Sequence, residues 1–284
     1  MTVENSISLE GRSILITGGS RGLGSEMAQA LVEAGADVMI SGRRHSSALS
    51  GTYTKLKKIA HGLDVKPKIY QCFADLTDNH ACEALVVNAI KSFGKLDVLI
   101  NNAGLGMRRV SEKFNIEPTR FWDTEPEDWC SIIDTNLNGA FFTARIAAKH
   151  MVSRGSGKII NISTSAQTMV RQGYAPYGPS KAGLEAASRI WAQDLQNTGV
   201  TVNVYLPGGA SDTDFIPGGV DRRGADGNLL PASIMRRGAV WLSSALSDGV
   251  TGGRFIAREW DDTAASQVAA AGARSKSCEA PIIM

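Results

Sequence analysis

Tyr177 and Lys181 stand four residues apart in Tyr177-Gly178-Pro179-Ser180-Lys181. They open a stretch whose residues Leu184, Ile190, Trp191 and Leu195 predict the apolar face of a helix. That spacing puts the phenol and the ammonium on one side of the helix. A phenol with an ordinary pKa of about 10 moves protons poorly at neutral pH, but a cation a few ångströms away stabilises the phenolate and draws the pKa toward the working range. The pair is a candidate acid–base centre, although in isolation the same spacing also describes an ordinary helical surface pair.

A second group of residues lies near the amino terminus. Thr17-Gly18-Gly19-Ser20-Arg21-Gly22-Leu23-Gly24 follows a short apolar run and leads into a helix starting near Ser25. A turn this rich in glycine lets backbone N–H groups approach a pyrophosphate, whose charge the next helix N-terminus favours. Its place after the first strand is what separates it from a merely structural turn, since its GxxxGxG spacing departs from the general GxGxxG fingerprint. After the second apolar run the chain reads Ser41-Gly42-Arg43-Arg44, with no carboxylate to accept a free ribose 2′-hydroxyl. Arg43, helped by Arg21 and Arg44, suits a 2′-phosphate, so NADP(H) is expected over NAD(H). Solvated surface arginines are the alternative.

These residues need a scaffold. Apolar runs at Ser13–Thr17, Ala36–Ser41, Pro67–Ala74, Leu96–Asn101, Lys158–Ser163, Thr201–Leu206 and Arg254–Ala257 predict seven strands. Between them, apolar residues recur at helical spacing, as at Met27, Leu31 and Ala34, or Ala84, Leu85 and Ile90. Nearly continuous apolar strands separated by helices predict an α/β protein with a doubly wound, parallel sheet covered on both faces. No linker or repeat divides the chain, so residues 1–284 are read as one domain with a core of about 9–257. Two irregular insertions, about 105–128 and 208–230, follow strands and belong at the carboxyl edge of the sheet, where such sheets bind ligands. The Ala-, Ser- and Gly-rich tail, 261–284, is expected to be a loose terminus or an arm onto a partner subunit.

Taken together, the glycine turn and YxxxK resemble the short-chain dehydrogenase/reductase (SDR) family from about Leu9 to Ile256, and further segments agree. Thr17–Gly24 matches the family's TGxxxGxG, and Asn101-Asn102-Ala103-Gly104 its NNAG. Asp75-Leu76 matches the acidic pair capping the third strand near the adenine, Asn136 the helix asparagine, and Pro207-Gly208 the turn after the sixth strand. The resemblance implies a Rossmann-like fold in which Tyr177 exchanges a proton with the substrate oxygen while hydride passes between the nicotinamide and carbon. It implies that Lys181 holds the nicotinamide ribose and lowers the tyrosine pKa, and that Asn136 fixes a water linking Lys181 to solvent. Thirteen residues before the tyrosine the family has a serine; this chain has Thr164, with Ser165 beside it as the competitor. Either hydroxyl would supply an O–H donor to a carbonyl.

The expected activity is therefore carbonyl–alcohol oxidoreduction on a small molecule. A silent NADP(H)-binding regulatory or sensor protein of the same fold is the alternative. A nucleotide-sugar epimerase or dehydratase would carry TGxxGxxG and a larger C-terminal domain. Met107, Arg108, Arg109, Phe114, Phe121 and Trp122 in the first insertion are candidates for one pocket wall, and the glycines of 208–216 for a mobile lid. Arg108, Arg109 and Arg171 hint at an anionic or polyhydroxylated substrate, with solvated loop cations as the competing account. The family also implies a homodimer or homotetramer built from helices near 126–154 and 174–197, where Ala182, Ala186 and Ala187 permit close approach.

Composition excludes other classes. Thirty Lys plus Arg against 28 Asp plus Glu leave a net charge of +2, too little for a nucleic-acid field. The first residues lack a signal-peptide pattern and no apolar run reaches membrane-spanning length, so a cytoplasmic protein without a membrane segment is expected. Cysteines 72, 82, 130 and 278 form no CxxC pair or disulfide-scaffold spacing. Histidines 45, 61, 80 and 150 show no metal-ligand spacing and read as surface residues, so no metal is expected.

Overall fold

The computed structural model describes residues 7–219, 222–224 and 227–276. Seven strands form one sheet: β1 (Ser13–Ile16), β2 (Asp37–Gly42), β3 (Ile69–Phe73), β4 (Val98–Asn101), β5 (Gly157–Ile162), β6 (Val200–Leu206) and β7 (Arg254–Ile256). Their order is β3-β2-β1-β4-β5-β6-β7, and every named pair is parallel. All seven coincide with predicted strands to within two residues. The helices are α1 (Gly22–Glu33), α2 (Ser47–Gly62), α3 (Asn79–Phe93), α4 (Pro126–Ile133), α5 (Gly139–Arg154), α6 (Ala166–Met169), α7 (Tyr177–Asp194), α8 (Arg236–Ser243) and α9 (Ser266–Ala273).

The strands read as continuously apolar because both faces are covered. Ile14, Ile16, Val38, Ile40, Val98 and Ile100 point into one core, with Met27 and Leu31 of α1, Leu49 and Leu56 of α2, and Leu242 of α8. Leu15, Met39, Leu99 and Ile159 point into the other, with Leu85 and Val86 of α3 and Ala144 and Ala147 of α5. Each buried Leu, Ile or Val of this kind contributes about 1.5–3 kcal/mol. The inward face of α3 is Cys82, Leu85, Val86 and Ala89, whereas Ala84, expected there, faces solvent. α1 ends before Gly35 and α3 at Gly94; both glycines have positive φ, a conformation with no steric cost for glycine.

The tail departs from expectation over its described part. Residues 261–276 fold back on the chain's own core: Ala269, Ala270 and Ala273 of α9 are buried, and Arg274 bridges antiparallel to Phe255 on the edge strand β7. Small side chains let this helix approach closely, which offsets the ordering cost expected of a loose terminus. Residues 277–284, including Cys278, lie outside the described residues, as do 220–221 and 225–226 of the second insertion. His150 also departs from the surface reading, because its Nε2 accepts the Leu96 N–H at 3.2 Å. Among the described residues no helix is long and apolar enough to cross a membrane, and no His, Cys, Asp or Glu cluster suited to a metal ion is present.

Candidate active site

The sheet order reverses between β1 and β4, and the crevice at that switch point is where open α/β sheets bind ligands. The glycine turn leaves β1 there, and Asn101–Gly104 leaves β4. The two are fastened together: the Asn102 side chain donates to the Thr17 and Gly18 carbonyls at 3.0 and 2.9 Å. The Thr17 hydroxyl accepts the N–H groups of Asn102 and Ala103, both at 3.1 Å. Gly24 must be glycine, since a Cβ would lie 2.4 Å from the Gly18 carbonyl oxygen and 2.5 Å from Asn102 Nδ2. Gly18, at φ 65°, would meet Ala103 at 2.7 Å. Asn102 thus acts on the turn, its amide already engaged with backbone.

Arg21 at the start of α1 supplies no side-chain cap, and the first turn of that helix carries no acidic residue. Its leading N–H groups are thus left without a side-chain acceptor, as a phosphate site requires. Arg43 and Arg44, just past β2, are exposed and form no ion pair with any described carboxylate. Asp75 accepts the N–H and hydroxyl of Thr77 through Oδ1, and neighbouring Leu76 is buried. The glycine cradle and the uncapped helix end therefore fit the pyrophosphate of a dinucleotide.

Tyr177 opens α7, one turn before Lys181, as the spacing predicted. The Thr164 side chain lies close enough to its phenol to favour the phenolate. Ser165 is engaged elsewhere, capping α6 by accepting the Thr168 N–H at 3.2 Å and sharing a 2.9 Å bond with the Thr168 hydroxyl. The structure therefore brings Thr164, rather than Ser165, to the phenol. Lys181 is buried and its Nζ donates to the Ile162 carbonyl at 2.8 Å.

Asn136 lies in a π-helical segment, Asp134–Asn138, between α4 and α5. Its Oδ1 accepts the Leu105 N–H at 2.7 Å, and its Nδ2 donates to the Leu105 carbonyl and the Ser180 hydroxyl, both at 2.9 Å. A Cβ on Gly104 would stand 3.2 Å from Asn136 Oδ1 and 3.8 Å from Lys181 Nζ. A side chain at Gly104 would therefore press on Asn136 Oδ1.

Burial governs the proton affinities. It pushes the Tyr177 phenol up to about 12, partly countered by the nearby Thr164 side chain, and brings the Lys181 ammonium down to about 8, against the pull of Glu185. A phenol pKa lowered by Lys181 was expected; the direction is reversed because desolvation penalises the phenolate more than its neighbours repay.

Phe215 of the second insertion lies edge-on to Tyr177, ring centroids 5.7 Å apart, and seats on Gly106, where a Cβ would come 2.2 Å from its ring. Tyr174 stands between Tyr177 and Phe114, at 6.4 and 5.7 Å. Asp214 ties this insertion to the glycine turn through Arg21 at 3.2 Å and to the first insertion through Arg108, which donates to its carbonyl at 2.9 Å. Arg108 is also paired with Glu112, Arg109 with Asp128, and Arg171 lies over the Tyr174 ring. The loop cations that hinted at an anionic substrate are thus largely satisfied within the protein. Phe215, Tyr174 and Ser180 are the site residues that spacing did not single out. Ser180 lies inside the Tyr177–Lys181 interval, three residues after the tyrosine whose carbonyl its hydroxyl meets at 2.7 Å.

The crevice, the glycine cradle and the Tyr177–Lys181 stripe are those of an oxidoreductase family. Residues 12–218 match the family model for short chain dehydrogenase, and the chain belongs to this family. It is 36% identical to a short-chain type dehydrogenase/reductase of Picea abies, over 74% of each chain. It is 33% identical to gluconate 5-dehydrogenase of Gluconobacter oxydans (strain 621H), over 71% of this chain and 72% of that one. The crystal structure of 3-ketoacyl-(acyl-carrier-protein) reductase from Brucella melitensis complexed with NADH superimposes with a TM-score of 0.73. It is 25% identical and covers 87% of this chain and 96% of its own.

Proposed function

We propose that the protein is an NADP(H)-dependent oxidoreductase interconverting a carbonyl compound and the corresponding alcohol. One observation carries this reading: Tyr177, with Thr164 near its phenol, stands one helical turn from the buried Lys181, whose Nζ lies close to Gly104. Two similar proteins support its carbonyl–alcohol chemistry by name, a gluconate 5-dehydrogenase and a 3-ketoacyl-(acyl-carrier-protein) reductase; the NADP(H) preference rests on Arg43 and Arg44 alone.

When bound, the coenzyme supplies or accepts the hydride. Gly18, Ser20, Arg21, Gly22, Leu23 and Gly24 would hold the pyrophosphate, Arg43 and Arg44 the 2′-phosphate, and Asp75 with Leu76 the adenine. Ala103, Gly104, Pro207 and Gly208 would border the nicotinamide half, with Asn102 bracing the turn. Tyr177, with its phenol protonated at neutral pH, gives that proton to the substrate oxygen in reduction and takes one as phenolate in oxidation. Thr164 donates a hydrogen bond to the same oxygen. Lys181 holds the ribose and supplies positive charge. Asn136 has both amide hydrogens engaged and keeps one acceptor lone pair for a water toward Lys181.

Two substitutions separate the hydroxyls. Thr164→Ala should lower kcat by about 10²-fold, the scale of one lost donor to a developing oxyanion. Ser165→Ala should lower Tm through a lost cap of about 1 kcal/mol while kcat stays near wild type. Steady-state rates that fall for Ser165→Ala instead would reverse the assignment.

The 2′-phosphate reading has its own check. Arg43→Ala should raise the NADPH dissociation constant about tenfold to hundredfold, the scale of a charge-assisted bond of about 1.5–3 kcal/mol, and barely move that of NADH. Fluorescence titration with both coenzymes decides it, and equal changes would sink it. Activity is found by screening carbonyls with NADPH and alcohols with NADP⁺ through the absorbance of reduced nicotinamide. NADPH binding without turnover across that panel would favour the sensor.

A homodimer or homotetramer is proposed on the outward faces of α5 and α7. Phe141 there is 43% exposed and Ile190, read as part of the helix's apolar face, is 55% exposed, beside exposed Ala182 and Ala186.

A further inference from the structure

Arg254, the first residue of the edge strand β7, reaches three separate segments with one guanidinium. Its Nε donates to both carboxylate oxygens of Glu185 on α7, at 3.1 and 3.0 Å. Its Nη2 donates to the Thr164 carbonyl at 2.9 Å, and its Nη1 to the Ser275 hydroxyl at 3.4 Å. Its own carbonyl accepts the Ser275 N–H at 2.8 Å, so the folded-back tail holds the arginine from the outside.

Each partner matters to the reacting groups. Glu185 lies one turn after Lys181 and two turns after Tyr177, in the same stripe of α7. Thr164 follows the end of β5. The Ser163 N–H makes a late ladder bond to the Tyr205 carbonyl at 2.9 Å, and the Ser163 hydroxyl is buried without a partner. Beyond that bond, the Thr164 peptide is tied by Arg254. A rigid, planar fork suits this task, because a lysine would offer a point charge with no fixed directions.

We infer that Arg254 is a positioning residue: by locking the Thr164 carbonyl to Glu185 of α7, it sets the distance between the Thr164 hydroxyl and the Tyr177 phenol. This rests on the proposed role of Thr164. Small displacements of a reacting group cost rate far more than binding, and about 1 Å of misplacement costs about 10²-fold.

The test is a double-mutant cycle on the full chain, with rates normalised to NADPH sites counted by fluorescence titration. Arg254→Met should lower kcat about tenfold to hundredfold and leave the NADPH dissociation constant within about twofold. Thr164→Ala combined with Arg254→Met should be no more than about twofold slower than Thr164→Ala alone, since the arginine acts through a hydroxyl already removed. If Arg254→Met yields no folded protein, Arg254→Lys takes its place in the cycle, with a smaller loss in kcat and the same non-additivity expected. Multiplying losses, or an unchanged kcat per coenzyme site, would overturn the inference while leaving the Tyr177–Thr164 site intact. A Thr164→Ala enzyme of full rate would overturn both.

Discussion

Tyr177→Phe is expected to lower kcat by about 10³-fold or more while the NADPH dissociation constant stays within about twofold. The substitution removes one oxygen from a partly buried ring and nothing from the cradle of Gly18, Gly24 and Asn102. General acid–base catalysis contributes about 10²–10⁴-fold, and here the same atom is the one that faces Thr164. The ring contacts with Tyr174 and Phe215 need no hydroxyl, so Tm should hardly move. Single-turnover kinetics with saturating coenzyme check the prediction. A Phe variant that retained a tenth of the wild-type rate would require another proton donor.

The second large effect is a pH dependence that differs with reaction direction. Reduction uses the phenol and the Lys181 ammonium. With the phenol near about 12 and the ammonium near about 8, the reductive rate should be level at low pH. It should then fall tenfold per unit above about 8 as Lys181 loses its proton. Oxidation uses the phenolate together with the ammonium. Its rate should climb tenfold per unit, about 10²-fold from pH 6 to 8, and then level off, because above about 8 each gain in phenolate is cancelled by a loss of ammonium. Lys181→Met should remove the break in both profiles along with most of the turnover. Rates in both directions across this range decide the matter; a reductive rate still level at pH 10 would remove Lys181 from the account.

The interval between Tyr177 and Lys181, the run Thr17–Gly24, and the alternation of apolar strands with helices were legible along the chain. Each is a local pattern: four residues make one helical turn, glycines permit a tight approach, and strand and helix differ in period. From the same residues the parallel sheet, its two covered faces and the carboxyl-edge placement of both insertions follow. The choice between Thr164 and Ser165 was not legible. The two are adjacent in sequence and chemically alike, and only the cap that Ser165 makes on α6 separates them. Ile190 at helical spacing was equally ambiguous, since period alone does not say whether an apolar stripe meets the chain's own core or stays exposed. The packing of residues 261–276 was not legible because alanine-rich composition suits a loose end and a closely packed helix alike.

Residue types and short-range spacing by themselves determined the elements, their class of architecture and the chemistry available at the phenol and the glycine turn, since those depend on backbone geometry within a few residues. Tertiary structure alone decided which hydroxyl meets the phenol, which way the proton affinities move, and that Arg254 reaches a carbonyl 90 residues away. Those outcomes depend on desolvation and on distances between segments remote in sequence, and these exist only once the sheet is assembled.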